Sequence, residues 1–216
     1  MQIKYLAHAS FLITSGSGTK LVTDPYTTGG PIRYGEVNEA ADIVTISHGH
    51  GDHSNAAGVK GNPRIVKETG TTEIKGIRFR GFPAFHDDTQ GKQRGNIIIF
   101  CFAVDGMNVC HLGDLGAPLS DQQAAELGKI DVLLIPVGGH FTIDAKVASQ
   151  VCDKLKPKVI IPMHFKTDKL DYPIASVEDF LSQKANVTRL HRSEADFTAG
   201  KLPTSTQIMV LEPARL

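Results

Sequence analysis

At 216 residues, with 41% hydrophobic and 21% charged side chains, the chain carries enough apolar material for a sizeable core and too much for a disordered tail protein. Its 23 Lys and Arg are balanced by 23 Asp and Glu, which argues against nucleic acid as a partner, since such binders show a basic footprint. No run approaches the apolar length of a membrane span, and Met1–Lys4 enters a strand-like segment without a leader pattern, so no membrane association and a cytoplasmic location are expected.

The first half of the chain reads as strands. Ile3–Leu6, Phe11–Thr14 and Lys20–Thr23 are short β-prone runs, the last two joined by the hairpin-type turn Ser15-Gly16-Ser17-Gly18. A loop rich in Gly, Thr and Pro follows from Asp24 to about Asn38. Ile43-Val44-Thr45-Ile46-Ser47 is a buried-looking strand, and it delivers the run His48-Gly49-His50-Gly51-Asp52-His53. That run holds three imidazoles and a carboxylate in six residues. Neutral imidazole and ionised carboxylate are the usual non-sulfur ligands of zinc, manganese and iron. With nine His and 15 Asp in the chain, the pattern H-x-H-x-D-H should arise by chance in roughly one such chain per thousand. Gly49 and Gly51 read as residues that let the backbone fold tightly around a bound group.

After a short helix-compatible piece come strands at Arg64–Val66 and at the alternating Ile77–Arg80. A polar loop from Asp87 to Gly95 leads into Ile97–Phe102, apolar on both faces as a central strand would be. Asp105-Gly106 turns the chain back into Asn108–Leu112. The second half mixes strands with helices. Ser120-Asp121-Gln122-Gln123 is a capping-box pattern, and Ser176-Val177-Glu178-Asp179 is a variant of it. Ala148, Val151, Cys152 and Leu155 recur at helical spacing, which predicts a helix from about Asp144 to Lys156. Strands at Val132–Ile135 and Val159–Ile161 bracket that helix, and Gln207–Leu211 is placed as a sheet edge. No linker, repeat or low-complexity tract interrupts residues 1–216, so one domain is expected; pattern alone says α/β or α+β. Cys101, Cys110 and Cys152 show no C-x-x-C spacing and read as free thiols.

The H-x-H-x-D-H run after a strand resembles the signature of the metallo-β-lactamase superfamily. The resemblance extends downstream, in the order the family shows, to His86 in Phe85-His86-Asp87, to Asp114 in Leu112-Gly113-Asp114-Leu115 and to His164 in Met163-His164-Phe165. It implies a four-layer αββα sandwich and two divalent metal ions, zinc first, with manganese or iron(II) as alternatives. His48, His50 and His86 would hold one ion, Asp52, His53 and His164 the other, and Asp114 would bridge them. The function implied is hydrolysis, in which hydroxide generated at the dinuclear centre cleaves an ester, lactone or phosphodiester bond in a small-molecule substrate. Within the superfamily the chain most resembles small Zn-dependent hydrolases related to sugar-phosphate lactonases.

Two of five further residues carry two readings each. His8, in Ala7-His8-Ala9-Ser10-Phe11, resembles an N-terminal segment of the lactonase-like branch in which a His lies near the metals; the other reading is a satisfied turn His. Asp24 resembles an acid that relatives place under the histidine loop, against a plain strand-ending turn. His140, after Gly138-Gly139, is a candidate for facing substrate. His111 is expected to pack inside the sandwich and His191 to lie on the surface. With Asp52 orienting the nucleophile, the expected catalytic set is Asp52, His8 and His140. The rival readings are a metal-binding regulatory protein without turnover, a nuclease-type phosphodiesterase of the same fold, and a flavodiiron-like redox protein. The last is disfavoured because His50 stands where those proteins carry Glu. The oligomeric state is left open.

Overall fold

The computed structural model describes residues 1–216. Alternation along its first strands sorts side chains toward two different cores. In chain order these strands are β1 (Gln2–Ala7), β2 (Ser10–Thr14), β3 (Lys20–Thr23), β4 (Ile43–Thr45) and β5 (Arg64–Val66). Ile3, Tyr5, Leu21 and Ile43 enter the main core, whereas Leu6, Val22 and Val44, one residue out of phase, enter a second one with Tyr26, Tyr34 and Val37. Because strand side chains alternate faces, this sheet is covered on both sides. Its outer cover is the stretch after Asp24 and a single 3-10 turn, Ala56–Gly58, rather than a helix.

The second sheet begins with β6 (Gly70–Ile74), β7 (Ile77–Phe85), β8 (Asn96–Val104) and β9 (Met107–His111), all antiparallel. After α1 (Asp121–Leu127) come β10 (Val132–Pro136), α2 (Ala145–Leu155), β11 (Val159–Met163), α3 (Val177–Leu181), β12 (Val187–Arg189), β13 (Glu194–Asp196) and β14 (Gln207–Val210). The sheets have the orders β13-β1-β2-β3-β4-β5 and β12-β14-β11-β10-β9-β8-β7-β6. Every residue of β10 and β11 is buried, as expected for parallel strands lying between the other sheet and the helices. The buried face of α2 is Ala148, Val151, Cys152 and Leu155, as its spacing predicts. This is the two-sheet sandwich expected from the resemblance, with its helices few and all in the second half.

The departures are local. β6, Gly-Thr-Thr-Glu-Ile, is almost wholly exposed; it has no apolar alternation to read and exists through its hairpin pairing with β7. β7 runs on to Phe85, well beyond Arg80, and includes Pro83. β6 pairs only with Ile77–Gly81, so the outer edge of β7 is open at Pro83 and no sheet hydrogen bond is lost. β14 is not the sheet edge: β12 pairs outside it, and β13 joins the first sheet beside β1. The capping box at Ser120 forms in full, but Ser176 makes no side-chain cap.

Candidate metal centre

Strand direction explains how residues scattered from 8 to 164 can meet. In the first sheet β3 and β4 are parallel, and β1 runs with them because β2 is antiparallel to both β1 and β3. In the second, β9, β10 and β11 are parallel, and β7 runs with them through the antiparallel β8. Each of these strands therefore ends on the same side of its sheet, and all but β10 hand on a candidate residue: His8 after β1, Asp24 after β3, His48 after β4, His86 after β7, Asp114 after β9 and His164 after β11. Loops beyond a strand end carry side chains that the sheet holds in place. His8, Asp24 and His164 also adopt left-handed backbone, with φ of 57°, 37° and 52°. Such conformations cost roughly 1 kcal/mol or more in a non-glycine residue, and here they turn side chains off the strand axis at the rim.

The candidates form two groups. Nitrogens of His48, His50 and His86 lie within 4.8 Å of one another, and so do the ligand atoms of His8, Asp52, His53 and His164. Asp114 joins them: its Oδ2 is 3.2 Å from His53 Nε2, 3.4 Å from His86 Nε2 and 3.4 Å from His164 Nε2. Yet His48 Nε2, His53 Nε2, His164 Nε2 and Asp114 Oδ1 are buried without a hydrogen-bond partner. Buried polar atoms without partners are costly. Four of them within the two ligand groups and the carboxylate between, all of ligand type, fit bound cations and do not fit a set of mutual hydrogen bonds.

Hydrogen bonds beneath the cluster fix which nitrogen is free. Asp24 is fully buried; it accepts from the backbone N–H and the hydroxyl of Ser47 and, through Oδ2 at 3.0 Å, from His53 Nδ1. Since the Ser47 hydroxyl proton goes to Asp24, His48 Nδ1 donates to Ser47 Oγ at 2.9 Å. Both imidazoles therefore hold a proton on Nδ1, which leaves Nε2 as the metal-facing position, free on neutral His48 and open on His53 once its second proton is displaced. Burial and the neighbouring His53 push His48 down to about 3, so it is neutral at physiological pH. His8 is pushed down to about 4 by burial and by His164. Burial would raise Asp114, but His164 and His53 hold its carboxyl well below the usual range. Burial opposes charge on His53, yet Asp114 and Asp24 on its two sides raise it well above an ordinary histidine.

A cleft of about 280 Å³ opens above this cluster, lined by His50, Asp52, His86, Asp114 and His164 and by three residues the sequence reading missed: Arg94, Phe141 and Tyr172. A larger groove of about 710 Å³ touches only His48 and Gly49 of the motif and has no Asp114 or His164 in its wall, so volume alone does not mark the site. Tyr172 donates its hydroxyl to Asp52 Oδ2 at 3.3 Å, and His8 Nε2 is 3.3 Å from the same oxygen. Burial together with Asp52 pushes Tyr172 up to about 12, so it keeps its proton.

His8 is fully buried and does not line the cleft; its reach to substrate passes through Asp52. His140 is exposed and outside the cleft wall, its ring against Phe141 at 4.4 Å; the substrate-facing place expected for it is held by Phe141. The run from His48 to His53 does turn tightly, His53 N–H donating to the His50 carbonyl at 3.0 Å, but Gly49 and Gly51 have neither left-handed backbone nor a close neighbour where a Cβ would sit, so the turn does not depend on glycine. His111 is buried, with Nε2 2.8 Å from the carbonyl of Ala9, and His191 is exposed, both as expected. Arg94, Phe141 and Tyr172 left no signal, because single residues in loops acquire meaning only when the loops meet.

Three comparisons bear on this geometry. Residues 2–164 match the family model of the β-lactamase superfamily domain. A UPF0173 metal-dependent hydrolase of Pyrococcus abyssi is 32% identical over 77% of this chain and 85% of its own length, and one of Pyrococcus furiosus is 30% identical over 90% and 98%. A crystal structure from Thermotoga maritima, described as a Zn-dependent hydrolase of the metallo-β-lactamase superfamily, superposes with a TM-score of 0.82 at 37% identity, covering 98% of each chain.

Proposed function

The chain belongs to the metallo-β-lactamase superfamily and is a metal-dependent hydrolase, and on that footing we propose that it cleaves an ester, lactone or phosphodiester bond of a small substrate with two divalent cations. The observation that carries this reading is Asp114. One of its oxygens lies within 3.4 Å of three imidazoles drawn from both ligand groups, and the other is buried without a partner. A carboxylate so placed suits a bridge between two ions. His48, His50 and His86 would hold the first ion; Asp52, His53 and His164 the second. Imidazole and carboxylate without thiolate suit zinc, with manganese or iron(II) as alternatives. Since the ligands come from both sheets, the whole chain acts as one catalytic unit.

Divalent cations held by these residues would lower the pKa of a bound water from ~15.7 to about 7 and would take up charge on the attacked oxygen. The protein's own groups do the rest. Burial would raise Asp52, but the hydrogen bond from His8 and the charge of His53 hold its carboxyl below the usual range, so it remains an acceptor at neutral pH. His8 and Tyr172 pin one of its oxygens, which fixes the direction from which it can receive a proton. Tyr172, protonated and in the cleft wall, can turn its single hydroxyl proton from Asp52 to an oxyanion on the substrate, leaving His8 on the carboxylate. Asp24, directly at His53 and through Ser47 at His48, keeps their Nδ1 protons in place.

The test is elemental analysis of metal-replete protein combined with a panel of chromogenic ester, lactone and phosphodiester substrates. Two ions per chain and turnover of one class, both removed by a chelator and restored by zinc, are expected. A single tightly bound ion rejects the dinuclear centre. Full metal occupancy with no hydrolysis of any class rejects the assigned bond types.

A further inference from the structure

Arg94 is the one fixed cation lining the cleft, and its guanidinium makes no hydrogen bond and no ion pair. Its only marked partner is the Phe141 ring, with Cζ 5.4 Å from the centroid. Stacking of this kind covers the face of a guanidinium and leaves its edge, with the N–H donors, available.

The loop that carries Arg94 is built to hold it still. The buried carboxylate of Asp87, next to His86, accepts from the backbone N–H groups of Thr89, Gly91, Gln93 and Arg94 and from the Thr89 hydroxyl, all at 2.7–3.0 Å. The loop is closed at its base by His86 N–H donating to the Gly95 carbonyl and Gly95 N–H donating to the Gly91 carbonyl. From Arg94 the cleft wall continues through Phe141, whose ring meets that of Tyr172 at 5.1 Å, to the Tyr172 hydroxyl on Asp52. An arginine on a clamped loop, face covered and edge free, is preorganised to bind a planar or tetrahedral oxyanion in two-pronged fashion.

Charge points the same way. Two divalent cations would bring four positive charges against the three carboxylates Asp24, Asp52 and Asp114 and one hydroxide, which balances the centre and leaves Arg94 as an unpaired positive charge in the cleft. We propose that Arg94 forms an anion subsite, and that the substrate carries a carboxylate or phosphate group, separate from the bond that is cleaved, which seats against Arg94. This rests on the hydrolase reading above, since it deepens the account of the same cleft. The plain rival is that Arg94 only packs on Phe141.

Binding without turnover separates these. Metal-replete protein is titrated calorimetrically with glutarate, with 3-phosphonopropionate and with butyrate, so that one carboxylate can reach the metal centre while the far end is charged or apolar. The two doubly functional anions should bind at least about tenfold tighter than butyrate, as one charge-assisted bidentate contact would give. Arg94→Gln should remove that preference at unchanged metal content, and Arg94→Lys should keep part of it, having the charge without the fork. Folding is not at issue, because Asp87 holds backbone groups that these variants retain. Tighter binding of the phosphonate assigns the subsite to phosphate, and tighter binding of glutarate assigns it to carboxylate; both support the proposal. Equal binding of all three anions by the wild type, or a preference that survives Arg94→Gln, overturns it. An Arg94-dependent preference in a protein that hydrolyses none of the panel keeps the anion subsite and rejects the assigned bond types. Hydrolysis with no such preference does the reverse.

Discussion

The two rims of the sandwich position their metal-ligand candidates by different means. On the first sheet His48 and His53 are oriented by side-chain hydrogen bonds, a short network from Ser47 to the buried Asp24. On the second sheet His86 and His164 have no such support: their Nδ1 atoms are buried without partners. They are held instead by backbone packed so close that only glycine fits. A Cβ on Gly116 would lie 2.2 Å from the His86 carbonyl carbon, and one on Gly138 would lie 2.3 Å from the His164 carbonyl oxygen. A hydrogen-bonded support sets the tautomer and tolerates some movement, whereas a steric support sets position and tolerates almost none. The difference teaches that damage to one rim should be graded and damage to the other abrupt.

The largest effect should come where the rims meet. Asp114→Ala removes the one carboxylate that lies against imidazoles of both ligand groups, so both steps of a zinc titration of metal-free protein should weaken by more than the roughly 10–100-fold typical of a supporting residue. Wild-type affinity for two ions in this variant would show that Asp114 is not the bridge.

Next comes the steric rim. Gly116→Ala must push the His86 backbone away, at an overpacking cost of about 1–3 kcal/mol, and should weaken binding at the His48–His50–His86 group while lowering the melting temperature. If stability and metal binding both stay at wild-type values, close packing is not what places His86.

A graded loss is expected from Asp24→Ala, which frees the His48 and His53 tautomers without moving the sheet. Metal affinity should fall roughly 10–100-fold, and NMR of the ring nitrogens should show mixed tautomers for His48, the neutral ring, in the metal-free protein. Unmixed tautomers would place the control elsewhere.

The last effect, read on stability and with no residue changed, separates the histidines by charge. His8 and His48, pushed down to about 4 and about 3, stay neutral when folded but take up protons at about pH 6.5 when unfolded. The unfolded state then binds more protons, so metal-free protein should lose stability as pH falls from about 6.5 to about 4. His53 has the opposite sign. Its raised pKa gives stability that is complete below about 6.5 and is lost only above neutrality, so it does not mask the acid loss. Thermal melts of chelator-treated protein across this range check the slope; a flat profile would mean that these rings are not buried in their neutral form.

Much of the centre is local and therefore legible in the chain. His48, His50, Asp52 and His53 sit within six residues, and their density alone announces a metal site. Strands with apolar alternation, the Ser120 capping box and the helical spacing of α2 are likewise local, and each appears as its pattern predicts. β6 is illegible because its residues are exposed on both faces and only pairing makes them a strand. β14 was misplaced at the edge because nothing in Gln207–Val210 says that β12 pairs beyond it. His86, Asp114 and His164 could be named only by resemblance, since each stands alone in its stretch of sequence.

By itself, then, the sequence determined the chemistry on offer: imidazole and carboxylate at strand ends, a neutral balance of charge, and enough apolar alternation for two sheets. These are properties of neighbours along the chain, and short-range sterics and hydrophobic periodicity are enough to express them. Only the tertiary structure decided which residues share a cleft. It placed His140 outside and Phe141 inside, sent His8 behind Asp52, and brought Arg94 and Tyr172 to the wall. Those outcomes depend on how loops separated by dozens of residues pack across two parallel rims, and no local preference encodes that meeting.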